Sequence, residues 1–211
     1  MNDKILELIA ETLIDGEVKK VAELTQKAIE DGYSAKEILR EGLLNGMTEV
    51  GIQFKEGEMF VPEVLVSAKA LEAGVEVLKP FLQSGDIEKK GKVVFATVKG
   101  DLHDIGKKLC ILMLEGAGFE VVDIGIDVSP EEIADAVIKY EPDIIALSAM
   151  LTTTMSSMKE TIEHLKSKGL YSQVKIMVGG APVSHQYASS IGALYSADAT
   201  EAVEVAKRIL E

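Results

Sequence analysis

The spacing of hydrophobic residues divides the chain into two parts. Up to residue 84, apolar residues recur at helical spacing and are interrupted at Asp-Gly and Glu-Gly pairs. Ser34 followed by Glu37 forms a capping box ahead of the third apolar run, and Pro62 suits the first turn of a fourth. We therefore predict four helices, the last from Pro62 to about Leu82, packed as an antiparallel bundle.

From residue 91 onward, short β-rich runs alternate with amphipathic helices. The predicted strands span 92–98, 119–124, 143–148, 175–178 and a weaker run at 193–195. The predicted helices span 104–115, 130–139, 154–168, 184–191 and 200–210. Continuous apolar strands are typical of a parallel sheet that helices cover on both faces. The fold class predicted for this part is therefore α/β, a flavodoxin-like (Rossmann-like) doubly wound sheet of five parallel strands.

The polar segment 85–90 separates these two parts and has the composition of a linker. The predicted domains are therefore a helical domain at 1–84, a linker at 85–90 and a Rossmann-like domain at 91–211.

Charge and cysteine content narrow the class of protein. The chain has 22 basic and 35 acidic residues, a net charge of −13, so we expect neither nucleic-acid binding nor attraction to anionic membranes. The single cysteine, Cys110, allows no internal disulfide and no cysteine-cluster metal site. No apolar stretch is long enough to span a bilayer, and the N-terminus lacks a signal-peptide pattern. We expect a cytoplasmic protein.

Ligands of doubly wound sheets bind beyond the carboxyl ends of the strands, so the loops there are the candidate sites. After strand 1, His103 lies between Asp101 and Asp104, and a carboxylate that holds a histidine ring is a common arrangement for a metal ligand. The alternative is an exposed loop histidine with Asp104 as the N-cap of the next helix. These side chains are too few for a zinc site, so further ligands would have to come with a cofactor.

The loops after strands 3 and 4 offer weaker signals. Ser148 and Thr152 carry hydroxyls that could cap the next helix or hydrogen-bond a buried ligand. Gly179 and Gly180 could form a simple turn or allow a ligand to approach the backbone closely.

Together these loops resemble the cobalamin-binding (corrinoid) proteins of methylamine, methanol and methoxy methyltransferase systems, which are similar to the cobalamin module of methionine synthase. The Asp-x-His-x-x-Gly motif lies at 101–106, and 41 residues later Ser-x-Met follows at 148–150, where the family usually has Ser-x-Leu. After 28 more residues comes Gly-Gly at 179–180. Segment 57–64 looks like the part of the family's helical domain that caps the cofactor.

The resemblance implies a cofactor and a set of contacts. His103 would ligate the cobalt of cobalamin or a related corrinoid in the base-off, His-on state, and Asp101 would hold its ring. In the helical part, Met59 and Phe60 would exclude water from the upper face of the corrinoid. The cofactor-binding residues implied by the resemblance are Asp101, His103, Asp104, Gly106, Ser148, Met150, Thr152, Gly179, Gly180, Ala181, Met59 and Phe60.

The implied function is that of a corrinoid protein that carries a methyl group on cobalt and is not catalytic alone. A substrate-specific methyltransferase would load it, and a second methyltransferase would unload it to tetrahydrofolate or a thiol such as coenzyme M. A reductive activation protein would restore Co(I). The methyl donor stays open among methylamines, methanol, betaines and aryl methyl ethers, as do the lower base and the oligomeric state. Two alternatives also stay open: a cobalamin-binding sensor or regulator, and a cofactor-free flavodoxin-like signalling domain.

Overall fold

The computed structural model describes residues 4–82 and 90–210, which form two compact units, one helical and one built on a sheet. The helical unit contains α1 (Lys4–Ile14), α2 (Val18–Glu30), α3 (Ala35–Glu37), a π-helical segment (Ile38–Leu44), α4 (Asn45–Glu56) and α5 (Val61–Leu78). Helix α2 packs against α5, and α1 packs against the π-helical segment and α4. The prediction of a four-helix N-terminal part is confirmed, with α3, the π-helical segment and α4 forming one continuous third helix.

The start of the third helix was predictable from the sequence, whereas its π-helical segment was not. The Ser34–Glu37 capping box forms as predicted, with the Glu37 backbone N–H donating to Ser34 Oγ at 3.2 Å. The π-helical segment that follows is not predicted by the hydrophobic spacing. Within it, a Cβ at Gly42 would lie 3.1 Å from the Ile9 side chain, so the glycine permits the close approach of α1.

The fourth helix ends four residues earlier than we predicted. Helix α5 stops at Leu78, and a 3-10 turn continues over Lys79–Phe81. Pro80 lies in this turn and has no N–H to donate to the preceding helical turn, which ends the regular α-helix.

The sheet unit has the five parallel strands that the pattern predicts. They are β1 (Lys92–Thr97), β2 (Glu120–Asp123), β3 (Ile144–Ser148), β4 (Lys175–Gly179) and β5 (Leu194–Tyr195). Their order is β2-β1-β3-β4-β5, and neighbouring strands pair in parallel. This order confirms the flavodoxin-like, doubly wound fold.

Five helices alternate with these strands: α6 (Ile105–Gly116), α7 (Pro130–Tyr140), α8 (Met155–Ser167), α9 (His185–Ile191) and α10 (Ala199–Leu210). One core cluster joins alternate residues of β1, β3 and β4 to α7, α8 and α9. The residues between them on β1 and β3, such as Val93 and Ile144, are also buried, so both faces of the sheet are covered.

The linker predicted at 85–90 falls almost wholly on 83–89, which lie outside the described residues, so the domain boundaries stay a prediction. Among the helices of the described residues, none combines the length and the apolar character that a membrane span requires.

Candidate functional site

The sheet order places a crevice between β1 and β3. Strand β2 lies on one side of β1, whereas β3, β4 and β5 follow on the other, so the chain reverses its winding direction between β1 and β3. Ligands of open α/β sheets bind at such a point, beyond the carboxyl ends of the strands. The loop with Asp101 and His103 follows β1, and the loop with Met150 and Thr152 follows β3, so both border this crevice.

Asp101 is fully buried and connects the two loops through both carboxylate oxygens. Its Oδ1 lies 2.8 Å from Nδ1 of His103 and accepts the His103 backbone N–H at 3.1 Å. Its Oδ2 accepts the backbone N–H groups of Met150 at 2.7 Å and Leu151 at 3.3 Å, and the Thr154 hydroxyl at 2.6 Å. One buried side chain therefore orients His103 and also fixes the β3 loop.

The ionisation of Asp101 decides which ring nitrogen of His103 carries a proton. Burial raises the pKa of Asp101, but the hydrogen bonds from Thr154, Met150 and His103 outweigh burial and hold the pKa well below its ordinary value. An ionised carboxylate only accepts hydrogen bonds, so Nδ1 of His103 must donate. In the neutral ring, Nε2 then keeps its lone pair and is the nitrogen that can bind a metal.

Thr154 is a site residue that sequence reasoning missed. We singled out Thr152 from the run of three threonines, and the structure exposes Thr152 and Thr153 but buries Thr154. The Thr154 hydroxyl is the donor closest to Asp101, at 2.6 Å. A hydroxyl-rich turn after a buried strand is a signal for such a donor, but choosing among adjacent threonines requires knowledge of their burial.

The structure explains two of the three motif glycines by steric constraints and leaves the third unexplained. A Cβ at Gly180 would lie 1.9 Å from the Ala149 carbonyl oxygen, and its φ of 127° disfavours side chains. A Cβ at Gly179 would lie 2.9 Å from the Ser196 carbonyl oxygen. Gly106 differs, because it is exposed on α6 and a Cβ there would meet no atom within 4 Å. The fold itself therefore requires Gly179 and Gly180, whereas it leaves Gly106 unexplained.

Large apolar side chains are exposed around His103 in the loops that border the crevice. These side chains come from the β1 loop and the first turn of α6, the β2 loop and the β3 loop, and they are Leu102 (66% exposed), Ile105 (76%), Ile126 (42%), Met150 (39%) and Leu151 (44%). Exposed apolar groups gathered at one edge of a sheet indicate a surface that a ligand or partner covers.

The remaining predicted site residues lie as follows. Asp104 pairs with Lys108 at 2.5 Å, and this hydrogen bond lowers its pKa. Ser148 ends β3 and is buried, and its carbonyl accepts the Val98 N–H at 3.1 Å. Ala181 is exposed in the turn after β4. In the helical unit, Met59 is buried, whereas Phe60 is 67% exposed at the start of α5. The ligand contacts of these residues stay predictions.

Comparison with known proteins gives the family. A model described as a B12 binding domain matches residues 91–207, and a second B12 binding domain model matches residues 5–79. The chain belongs to the B12-binding family. It is 41% identical over 210 residues to a corrinoid protein of Desulfitobacterium hafniense, covering 98% of this chain and 97% of that one. It is 42% identical over 207 residues to dimethylamine corrinoid protein 3 of Methanosarcina acetivorans, with coverage of 98% and 97%.

Solved structures agree with this B12-binding assignment. The chain matches a structure of the methanol:cobalamin methyltransferase complex from Methanosarcina barkeri with a TM-score of 0.90 and 33% identity, covering 100% of this chain and 81% of that one. It also matches a cobalamin-binding protein of Desulfitobacterium hafniense with a TM-score of 0.79 and 35% identity, covering 97% and 98%.

The geometry of the sheet unit fits a corrinoid. The His103 side chain is 54% exposed and its Nδ1 is fixed by Asp101, so the ring offers a nitrogen that could serve as an axial ligand to cobalt. The exposed apolar side chains and the open position at Gly106 offer a surface on which a flat corrin ring could lie close to the backbone. Across the described part of the chain, no three His, Cys, Asp or Glu side chains converge as a set that could hold a metal ion by itself.

Two other residues with ligand chemistry do not join the site. Burial raises the pKa of the Cys110 thiol to about 12, which disfavours the thiolate that would bind a metal. His164 is partly buried on α8, with Nδ1 3.9 Å from Glu131. Its Nε2 is buried and has no hydrogen-bond partner among the described residues.

Proposed function

We propose that this chain is the corrinoid subunit of a methyltransferase system, which carries a methyl group between two partner enzymes. The carrying observation is the Asp101–His103 pair, in which a buried ionised carboxylate fixes the ring so that Nε2 is the nitrogen left to ligate cobalt. The relatives support the same function, since they include corrinoid proteins named for dimethylamine and for trimethylamine.

The chain's own residues would bind and shield the cofactor. His103 would hold the corrinoid from below in the base-off, His-on state, and Asp101 would keep its ring in the ligating tautomer. When bound, the cobalt of the corrinoid supplies the nucleophile that accepts and releases the methyl group. Ser148, Thr152 and the backbone at Gly179, Gly180 and Ala181 would contact its displaced tail. Phe60 would help to keep water from the opposite face.

The proposed partners follow from the same carrier function. A substrate-specific methyltransferase would load the methyl group, which is consistent with the complex that contains the methanol-system relative. A second methyltransferase would transfer it to tetrahydrofolate or a thiol, and a reductive activation protein would restore the reduced cobalt. Relatives named for dimethylamine and for trimethylamine are 42% and 40% identical to this chain, so we propose that the partner, and not the carrier, selects the donor. We propose a cytoplasmic setting.

The two alternatives from the sequence are not favoured. A cobalamin-binding sensor is not favoured because the relatives that the chain matches over 97% and 98% of their own length are corrinoid proteins named for dimethylamine and for trimethylamine. A cofactor-free signalling domain would not need the fixed histidine tautomer beside exposed apolar side chains.

The test is to load the protein with cobalamin reduced to Co(II) and record its visible and electron paramagnetic resonance spectra. A nitrogen ligand splits the Co(II) lines into triplets, and labelling all histidines with nitrogen-15 should convert the triplets to doublets if His103 is the ligand. His103→Ala should abolish the label effect. His185→Ala is the matched control, because His185 is also exposed and begins the helix after β4.

Binding of cobalamin with triplets that histidine labelling does not change would show that the cofactor's own base is the ligand. That result would contradict the His-on proposal. Failure of the protein to bind cobalamin at all would contradict the proposed function.

A further inference from the structure

A buried lysine, Lys107, lies four residues after His103 in the first turn of α6 and has no part in the function proposed above. The Lys107 side chain is 1% exposed, and its Nζ contacts the Asp123 carboxylate and donates to the Gly125 carbonyl at 2.7 Å. Burying an ammonium group is strongly unfavourable unless it is paired and hydrogen-bonded. The surrounding structure must therefore hold this lysine in place, and in return the lysine constrains the groups that it contacts.

Those groups lie at the last residue of β2 and in the loop that follows it, residues 124–128 (the β2 loop), at the edge of the site. Asp123 Oδ1 accepts the Gly125 N–H at 2.9 Å, which fixes the start of the loop. The Gly125 carbonyl, which accepts from Lys107, also accepts the backbone N–H of Thr97 at 3.0 Å. Lys107 thus ties the first turn of α6 to the β2 loop and, through one carbonyl, to the end of β1.

The β2 loop and the end of β1 hold the loop that carries His103. The Thr97 hydroxyl donates to the His103 carbonyl at 3.0 Å. The Asp127 N–H donates to the Asp101 carbonyl at 3.0 Å, and the Gly100 N–H donates to Asp127 Oδ1 at 2.8 Å. Asp101 fixes the histidine ring, whereas these three hydrogen bonds fix the backbone on which both residues stand.

We propose that Lys107 is a positioning residue for His103, acting through Gly125, Thr97 and Asp127 to hold the His103 loop where its ring can ligate cobalt. This inference rests on the proposed function. Without the ammonium group, the Gly125 carbonyl and the Asp123 carboxylate lose a common donor, and the β2 loop is free to shift away from α6. The His103 ring would then keep its hydrogen bond from Nδ1 to Asp101, but its backbone would no longer be held in the position for ligating cobalt.

The test compares Lys107→Met with the wild-type protein, both loaded with Co(II) cobalamin. Methionine keeps an unbranched side chain of similar length and removes the charge and the donors. We expect the ratio of His-ligated to unligated corrinoid to fall by about tenfold, the lower end of the loss seen when outer partners of a metal ligand are removed. Lys159→Met is the matched control, since Lys159 is 61% exposed and pairs with Glu163 on α8.

A second readout needs no cofactor. In the cofactor-free protein, Lys107→Met should speed amide hydrogen exchange at Gly100 and Asp127, whose N–H groups bridge the two loops, and leave exchange in β3 unchanged. A lysine that only stabilises the fold would raise exchange across the whole sheet unit.

Asp123→Asn covers the case in which Lys107→Met does not fold. It keeps an acceptor for the Gly125 N–H and removes only the charge that holds Lys107, so it should fold and shift His ligation in the same direction by a smaller factor. If His103 ligates cobalt in the wild-type protein and the folded variants show the same degree of ligation, the inference is overturned and the proposed function stays intact. Absence of His ligation in a wild-type protein that still binds cobalamin would overturn this inference together with the His-on proposal, and only failure to bind cobalamin would overturn the proposed function.

Discussion

Replacing Asp101 by asparagine exchanges one carboxylate oxygen for an NH2 group. The asparagine amide can lie in two orientations, and the two have different consequences. The carboxylate accepts five hydrogen bonds, two from His103 on Oδ1 and three from Met150, Leu151 and Thr154 on Oδ2. Asparagine has one oxygen and one NH2 group, so either the groups that donate to Oδ1 or those that donate to Oδ2 must face the NH2 group, which is itself a donor.

If the NH2 group faces the β3 loop, the backbone N–H groups of Met150 and Leu151 both lose their acceptor. These two donors are only partly buried, so each one left unpaired costs at most about 1–3 kcal/mol, and this orientation costs at most roughly 2–6 kcal/mol. If the NH2 group faces His103, only the His103 backbone N–H is left unpaired, at about 1–3 kcal/mol. We therefore expect the second orientation and a loss of about 2 kcal/mol in the free energy of unfolding.

The preferred orientation also changes the histidine tautomer. The asparagine NH2 group donates, so Nδ1 of His103 must accept, and the ring proton moves to Nε2. Nε2 then has no lone pair for cobalt unless the new hydrogen bond breaks. We expect His ligation of Co(II) cobalamin to weaken by about 10- to 100-fold, the usual effect of losing the partner of a metal-bound histidine.

Two measurements check this prediction: urea unfolding of the cofactor-free protein and the histidine-label splitting of Co(II) cobalamin in the loaded protein. Asp143→Asn is the matched control, because Asp143 accepts the Lys92 N–H at 2.8 Å at the opposite end of β3. If Asp101→Asn kept wild-type ligation while losing about 2 kcal/mol of stability, the tautomer argument would be refuted. If stability also stayed at the wild-type value, the hydrogen-bond network around Asp101 would be refuted as well.

Two further predictions concern Gly106 and acid stability. Gly106→Ala should raise the stability of the cofactor-free protein by up to about 1 kcal/mol, because alanine favours the helix and its Cβ meets nothing within 4 Å, yet it should weaken cobalamin binding. Thermal unfolding measures the expected gain in stability, and equilibrium titration with cobalamin measures the expected loss in affinity. Unchanged cobalamin binding would contradict the role of the open space at Gly106. Because the pKa of Asp101 is lowered in the folded state, its stabilisation is complete above the unfolded value of about 4 and is lost progressively as the pH falls toward the folded value. Asp101→Asn should lack this part of the acid dependence in urea unfolding between about pH 5 and 2, and a parallel decline in both proteins would contradict it.

The sheet unit could be predicted almost completely because its signals are local. Each strand is a short apolar run, each helix has its own period, and Ser129 with Glu132 caps α7 just as Ser34 with Glu37 caps α3. The rule of right-handed crossovers then restricts the order of parallel strands. The π-helical segment Ile38–Leu44 could not be predicted, because no hydrophobic period distinguishes it from the α-helices on either side.

The candidate site could be predicted only where its partners are close in sequence. Asp101 and His103 are two residues apart, so their pairing was readable from the motif. The contact of Asp101 with Thr154 spans 53 residues and depends on β1 and β3 being neighbours, which fixes where their loops meet. The Gly-Gly pair could not be interpreted from the motif alone, since the structure gives Gly180 a reason within the fold, the nearby Ala149 backbone, and its contact with a ligand stays a prediction.

The shared use of Asp101 explains why the two loops of the crevice form one unit. A carboxylate that held only His103 could orient the ring, but the ring's position relative to β3 would then vary with every movement of the β3 loop. Since Oδ2 accepts from Met150, Leu151 and Thr154 while Oδ1 holds His103, the same group fixes the tautomer and the distance across the crevice. These hydrogen bonds join only groups of the chain itself, so we expect folding to order His103 and cofactor binding to carry less of that cost. Residues such as Lys107 then matter because they keep the backbone beneath this carboxylate in place.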